Sequence, residues 1–172
     1  MNPVQASTLR AVVDATFSEH RSVFEDSCTQ LTESIEQAAT VLIGAYQAQG
    51  KAILFGNGGS MSDALHIEGE LVNRFAIDRQ GVPAVALGSP ASLSATANDY
   101  SYEDAFARML TAHAGPNDVA IGISTSGNSE NVIRALQRAK ELDLPTIALT
   151  GGDGGKCKDL AEVSVIVPSS NT

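Results

Sequence analysis

After Gly50 the chain alternates short, unbroken apolar runs with longer stretches of helical periodicity, and this alternation restricts it to one kind of architecture. The apolar runs are residues 52–55, 84–87, 119–123, 146–149 and 163–167. Between them, helices are predicted near residues 60–75, 91–97, 102–113 and 128–142. Runs that are apolar throughout suit strands buried on both faces. Strands separated by helices form βαβ units with right-handed crossovers, which put helices on both sides of a parallel sheet. The expected fold class is α/β: three layers, with a five-stranded parallel sheet in the middle.

Residues 6–49 read differently. Leu9, Val12, Val13 and Phe17, then Leu31, Ile35, Ala38, Ala39, Leu42, Ile43 and Tyr46, recur at three- and four-residue spacing. They predict an amphipathic helical arm, with a break between Ser18 and Ser27 and a stop at Gly50. Such an arm can pack on its own sheet or on another subunit, and the spacing does not choose. At 172 residues the chain suits one domain, 1–172, with residues 1–50 as the arm and 51–168 as the α/β core.

The formal net charge is −9, which argues against a nucleic-acid partner or an anionic membrane surface, since either calls for a basic face. No apolar run approaches the length of a membrane span, and the N-terminus lacks a basic-then-apolar leader pattern. Cys28 and Cys157 read as idle thiols of a reducing compartment, so the cytoplasm is the expected location. The charge also constrains any phosphate site, which must be built locally from backbone N–H groups and hydroxyls.

Two loops have that composition. Gly56-Asn57-Gly58-Gly59-Ser60 follows the first apolar run, and Ser124-Thr125-Ser126-Gly127-Asn128-Ser129 follows the third. Each opens a predicted helix. Ligands of parallel α/β sheets collect at the carboxyl ends of the strands, where helix N-termini offer unpaired N–H groups and partial positive charge. Glycine permits close backbone approach, and hydroxyls add uncharged donors. Taken singly, each loop is equally consistent with a capped strand-to-helix turn. Two on one sheet, one of them six residues of small polar type, favour a phosphate cradle. The first loop is not a Walker A sequence, because no Lys-Ser/Thr follows its glycines. Nor is it a dinucleotide fingerprint, because Met61 replaces the third glycine and Leu87-Gly88-Ser89 brings no acidic residue.

On the helix opened by the first loop, His66 and Glu70 stand four residues apart, one turn along the same face. An imidazole and a carboxylate so placed can share a metal ion or exchange protons with a substrate. An isolated pair of this kind is more often a solvated His–Glu contact, but this one lies close to a phosphate-type loop. Asn98-Asp99 reads as a turn that can also hold sugar hydroxyls. Arg74 and Arg79 are the cations nearest the loops in sequence.

Together these residues resemble the sedoheptulose 7-phosphate (phosphoheptose) isomerase family of SIS-domain proteins. The likeness runs from about Lys51 to Pro168 and is carried by FGNGGSMSDALHIEGELVNRF, AIGISTSGNSENVIRAL and IALTGGDGGK. The resemblance implies an SIS-type fold, a homotetramer with active sites between subunits, and conversion of sedoheptulose 7-phosphate to D-glycero-D-manno-heptose 7-phosphate for lipopolysaccharide or related glycans. It implies that Ser60, Ser124, Ser126 and Ser129 hold the phosphate, that Asn57, Asp99 and Thr125 hold sugar hydroxyls, that Gly58 and Gly59 belong to the substrate site, and that Arg74 stands near the site, its own or that of a neighbouring subunit. His66 and Glu70 match two of the family's zinc ligands, and Glu70 matches its acid/base glutamate. The family's further metal ligands, a Gln and a His, lie on a C-terminal helix expected to begin where this sequence reads Ser169-Ser170-Asn171-Thr172. Residues 1–172 are therefore expected to supply half of the zinc site. Two alternatives share the fold: a non-catalytic regulatory protein that binds the bacterial replication initiator, and another phosphosugar isomerase or sensing domain.

Overall fold

The computed structural model describes residues 3–171, with side chains from Thr8 onward. The five expected strands are present as β1 (Ala52–Gly56), β2 (Ala84–Ala86), β3 (Val119–Ser124), β4 (Thr146–Gly151) and β5 (Val163–Val167). All neighbouring pairs run parallel, in the order β2-β1-β3-β4-β5. The helices are α1 (Pro3–Gln30), α2 (Thr32–Gln47), α3 (Gly59–Val72), α4 (Pro90–Asp99), α5 (Ala105–His113), α6 (Glu130–Glu141) and a short α7 (Cys157–Leu160) that the sequence pattern did not reveal. The stretch expected as one helix over residues 102–113 divides into a 3-10 turn, Tyr102–Asp104, followed by α5.

Every residue of β1 and β3 is buried, as their unbroken apolar character requires. Successive side chains point to opposite faces and feed two cores. On one face Ile53, Phe55 and Ala120 meet Phe106 and Leu110 of α5 and Val132 and Leu136 of α6. The Phe55 and Phe106 rings lie 5.8 Å apart in a tilted pair. On the other face Leu54, Ile121 and Ile123 meet Ala38 and Ala45 of α2 and Ala64 of α3. Gly122 sits where helix and sheet come closest. A Cβ there would lie 3.0 Å from Val132 Cγ1.

The arm departs from expectation in two places. Its break falls at Leu31, not between Ser18 and Ser27. Around Leu31, the hydroxyls of Ser27, Thr29, Thr32 and Ser34 each donate to a main-chain carbonyl three or four residues earlier. Such bonds compete with the helical ladder and bend it, whereas residues 18–26 have no comparable cluster. The end of α2 is a Schellman motif: Gln49 N–H donates to Tyr46 O at 3.1 Å and Gly50 N–H to Ala45 O at 2.8 Å. The left-handed residue is Gln49, with φ 65°, not Gly50. Gly50 is needed for a different reason, because a Cβ on it would run into the Asn117 carbonyl. Gly50→Ala is expected to destabilise the protein by ~1–3 kcal/mol through this clash, read as a lower thermal midpoint. A midpoint equal to the parent's would mean that the approach to Asn117 relaxes freely.

Candidate functional site

Strand order makes the site. β1 leads outward to β2 on one side, while β3 lies on its other side, so the chain direction across the sheet reverses between β1 and β3. Loops at such a switch point diverge and leave a crevice at the carboxyl ends of the strands. The two Gly/Ser loops are the ones that follow β1 and β3. Gly56 is in register with Ile123, and a Cβ on Gly56 would lie 2.7 Å from the Ile123 carbonyl and 2.8 Å from Ser60 Cβ. Glycine at that position is what lets the first loop fold tightly against the end of β3.

The first loop turns through Gly58, with φ 55°, and starts α3 with Ser60 N–H donating to Asn57 O at 3.0 Å. In the second loop Ser124 is buried, and its hydroxyl pairs with that of Ser129 at 3.1 Å. Ser129 therefore does not cap α6 with its side chain. Thr125 and Ser126 are exposed. Ser126 Oγ accepts from Asn128 N–H at 3.2 Å, which fixes the turn.

A third glycine-rich segment braces the second loop. Gly151 N–H donates to Thr125 O at 2.9 Å, Cys157 N–H to Gly127 O at 2.9 Å, and Lys156 N–H to Asn128 Oδ1 at 3.2 Å. Gly127, with φ 63°, packs so closely on Gly154 that a Cβ would overlap the Gly154 carbonyl. The string TGGDGG carries part of the family resemblance, but its contact with the second loop is not readable from the sequence.

A cleft of about 580 Å³ opens over the carboxyl ends of the strands and is lined by Ser60, Thr125, Asp63 and His66, with Ile67, Ile123, Leu149 and Val165 as its apolar floor. A second hollow, about 520 Å³, adjoins it between Thr125, Ser126 and Asp153. Thus Ser60 of the first loop, Thr125 of the second and His66 of α3 share one space. Glu70 reaches it through His66, whose Nε2 lies 3.3 Å from Glu70 Oε1. Thr150, at the end of β4, lines the same cleft with a buried hydroxyl that has no partner among the described residues.

Other expected residues stand apart. Asp99 closes α4, is exposed, and accepts from Asn98 Nδ2 at 2.8 Å. Arg74 is exposed beyond α3 and forms no ion pair with the described residues. No hydrogen bond or ion pair joins either of them to the loops. Arg79 serves the fold itself: its guanidinium donates to the carbonyls of Glu70 at 2.9 Å, and of Leu71 and Gln80 at 3.0 Å each, closing the end of α3. The sequence pattern also missed Asn131. It is buried in the first turn of α6 and forms two hydrogen bonds to the Asn57 side chain, at 2.8 and 2.9 Å.

The expected zinc can be tested against these donors. His66 and Glu70 present one nitrogen and one carboxylate, and their side chains are 75% and 37% exposed. Among the described residues no group of three or more His, Cys, Asp or Glu is arranged to hold an ion. Zinc takes four ligands, or three and a water. By themselves these residues do not complete a zinc site. Cys157 is no substitute, because burial pushes its thiol up to about 11, far from the thiolate a metal needs.

A doubly covered parallel sheet with hydroxyl- and glycine-rich loops at its switch point defines a small-ligand α/β domain. The family model described as SIS domain matches residues 17–151. Phosphoheptose isomerase from Helicobacter pylori is 46% identical over 157 residues, which cover 91% of this chain and 82% of that protein. Phosphoheptose isomerase from a Nitratiruptor species is 48% identical over 155 residues, covering 90% and 83%. Among solved structures, phosphoheptose isomerase from Neisseria gonorrhoeae superposes with a TM-score of 0.89 at 37% identity, covering 95% of this chain and 88% of that one. The chain belongs to the SIS-domain family and, within it, to the phosphoheptose isomerases.

If the brace shapes the second loop, Gly127→Ala is expected to distort it in two ways, through the positive φ and through the collision with Gly154. Affinity for inorganic phosphate is expected to fall at least tenfold while the far-ultraviolet circular dichroism stays that of the parent. Unchanged phosphate affinity would show that the shape of this loop does not matter for anion binding.

Proposed function

We propose that this chain is a sedoheptulose 7-phosphate isomerase, forming D-glycero-D-manno-heptose 7-phosphate by proton transfer through an enediol. The observation that carries the reading is the common cleft of Ser60, Thr125 and His66 at the β1/β3 switch point. The similarity to named phosphoheptose isomerases supports the substrate class. The contact between His66 and Glu70 favours a catalytic protein over a regulatory one of the same fold.

In this reading the phosphate rests on the second loop and on the start of α3. Hydroxyls of Ser60, Ser124, Ser126 and Ser129 and the main chain of Gly58 and Gly59 surround it. The N-terminus of α6 adds partial positive charge. Neutral donors suit a protein of net charge −9, since no cation is required. Asn57, Thr125 and Asp99 are assigned to the sugar hydroxyls, and Arg74 to the site of a neighbouring subunit. Binding of the remote phosphate positions the reacting carbons.

The chemistry needs a base beside the carbonyl. The Glu70 carboxylate takes the proton from the carbon next to the ketone, leaving an enediolate across the two carbons. The proton returns to the former carbonyl carbon, and the hydroxyl proton moves from one oxygen to the other, so atoms and charge balance. His66, 3.3 Å from Glu70, orients the carboxylate. His66 and Glu70 would be two of the ligands of a zinc ion, which would supply positive charge to the enediolate oxygen.

A homotetramer belongs to the same reading. Phe17 and Phe24 on α1 are 68% and 64% exposed, and Phe75 and Ile77, next to Arg74, are 74% and 70% exposed. Apolar surface on this scale marks an interaction face. Light scattering at micromolar concentration is expected to give four copies per particle, and a monomer would remove the shared-site assignment of Arg74. Glu70→Gln is expected to lower turnover of sedoheptulose 7-phosphate by ~10²–10⁴-fold, the usual worth of general base catalysis, while inorganic phosphate binds as in the parent. Turnover equal to the parent's would remove Glu70 from the proton transfer.

A further inference from the structure

Between the two loops lies a pair of side-chain amides with one defined orientation. Asn131 Oδ1 accepts from its neighbour's backbone, Val132 N–H, at 3.0 Å. That N–H also reaches Ser129 O, but an amide nitrogen in place of Oδ1 would set donor against donor. The Asn131 oxygen is thereby fixed by the main chain of α6. Its Nδ2 must then face an acceptor, and it donates to Asn57 Oδ1 at 2.9 Å. In return Asn57 Nδ2 donates to Asn131 Oδ1 at 2.8 Å. Tyr102, from the 3-10 turn before α5, donates its hydroxyl to the same Asn57 Oδ1 at 2.9 Å.

Asn57 Oδ1 therefore accepts two hydrogen bonds and has no capacity left. Of the two N–H bonds on Nδ2, one is used and the other has no partner among the described residues. Asn57 is half-buried, and Asn131 is 3% exposed. The turn carrying Tyr102 is held to α6 by Arg134, which donates to Asp104 at 2.7 Å and keeps the Asp104 carboxyl below its ordinary range, with Ser101 adding a second bond.

We propose that Asn131 is a positioning residue that, with Tyr102, makes Asn57 a donor-only contact, so that the site selects a ligand presenting an acceptor oxygen at that point. This deepens the isomerase reading and rests on it for the ligand: the acceptor is an oxygen of the open-chain sugar phosphate, not one that must donate. A hydroxyl able only to donate there finds no acceptor, whereas a carbonyl or a hydroxyl lone pair finds its donor. The arrangement also ties the first loop to the helix that starts at the second, so both halves of the crevice share one reference point.

The test uses Asn131→Leu, which keeps the size, adds no charge beside the phosphate and removes both bonds to the Asn57 side chain, while Val132 N–H keeps its bond to Ser129 O at 3.0 Å. Calorimetry with sedoheptulose 7-phosphate is expected to show a roughly 3- to 10-fold weaker affinity, the range of one neutral hydrogen bond. Inorganic phosphate should bind within about twofold of the parent. In an Asn57→Ala background the same change should cost nothing further, because Asn131 acts through Asn57. Tyr102→Phe, which frees one lone pair of Asn57, should relax the preference with a smaller loss. Equal weakening of both ligands, or a full effect of Asn131→Leu without Asn57, would overturn the proposal. A readout independent of ligand is the side-chain amide resonance of Asn57, assigned by its loss in Asn57→Ala. It must move on Asn131→Leu, and a resonance that stays put overturns the positioning role whatever binds. A parent that binds inorganic phosphate but no sugar phosphate removes the substrate reading, and the resonance still decides the positioning role.

Discussion

The parallel pairing of β1 with β3 is the contact on which the remainder of the molecule depends. These strands are buried on both faces, so their side chains anchor both cores, α5 and α6 on one side and α2 and α3 on the other. The same pairing sets the loops after Gly56 and after Ser124 side by side. Small residues make this closeness possible. Gly56 lies against the Ile123 carbonyl, Gly122 under Val132, and Gly127 against Gly154. At each, a Cβ would force two pieces of backbone or core apart, and packing at interior density leaves no room to absorb that.

An acidic protein that handles phosphate must place its donors without relying on bulk charge. In the proposed reading the donors are hydroxyls and helix-end amides, and the second loop that carries several of them is held by main-chain N–H groups of Gly151, Lys156 and Cys157. Preorganisation replaces charge: a fixed neutral donor in a partly desolvated crevice costs little reorganisation when an anion arrives. The glycines of the 151–155 turn, three of them at positive φ, therefore shape the second loop although none was expected to touch a ligand.

Much of the fold was legible because buried parallel strands declare themselves as unbroken apolar runs, and each of the five appears within two residues of its expected bounds. The arm was less legible. Its break at Leu31 comes from hydroxyls bonding back to carbonyls, which periodicity does not register, and the αL residue at its end is Gln49 where composition pointed to Gly50. The site was half legible. Both loops and the His66–Glu70 pair have local signatures. Asn131 does not, because nothing in ENVIRAL separates a buried asparagine bonded to Asn57, 74 residues away, from an ordinary polar residue near a helix start. Arg79 is similar: as a sequence feature it is one more arginine, and only the fold turns it toward the last carbonyls of α3.

By itself, then, the sequence determined the elements, their alternation, the neutral chemistry of the loops and the turn spacing of His66 and Glu70. All of these follow from neighbours a few residues apart, whose relation is set by the 3.6- and 2-residue periods of helix and strand. The tertiary structure decided which loops adjoin, that the TGGDGG turn braces the second of them, and that the spare hydrogen-bonding capacity of Asn57 is an N–H and not an oxygen. Those are contacts between residues distant in the chain. They exist only once hydrogen bonding between β1 and β3 has fixed the strand order, and no local period encodes that order.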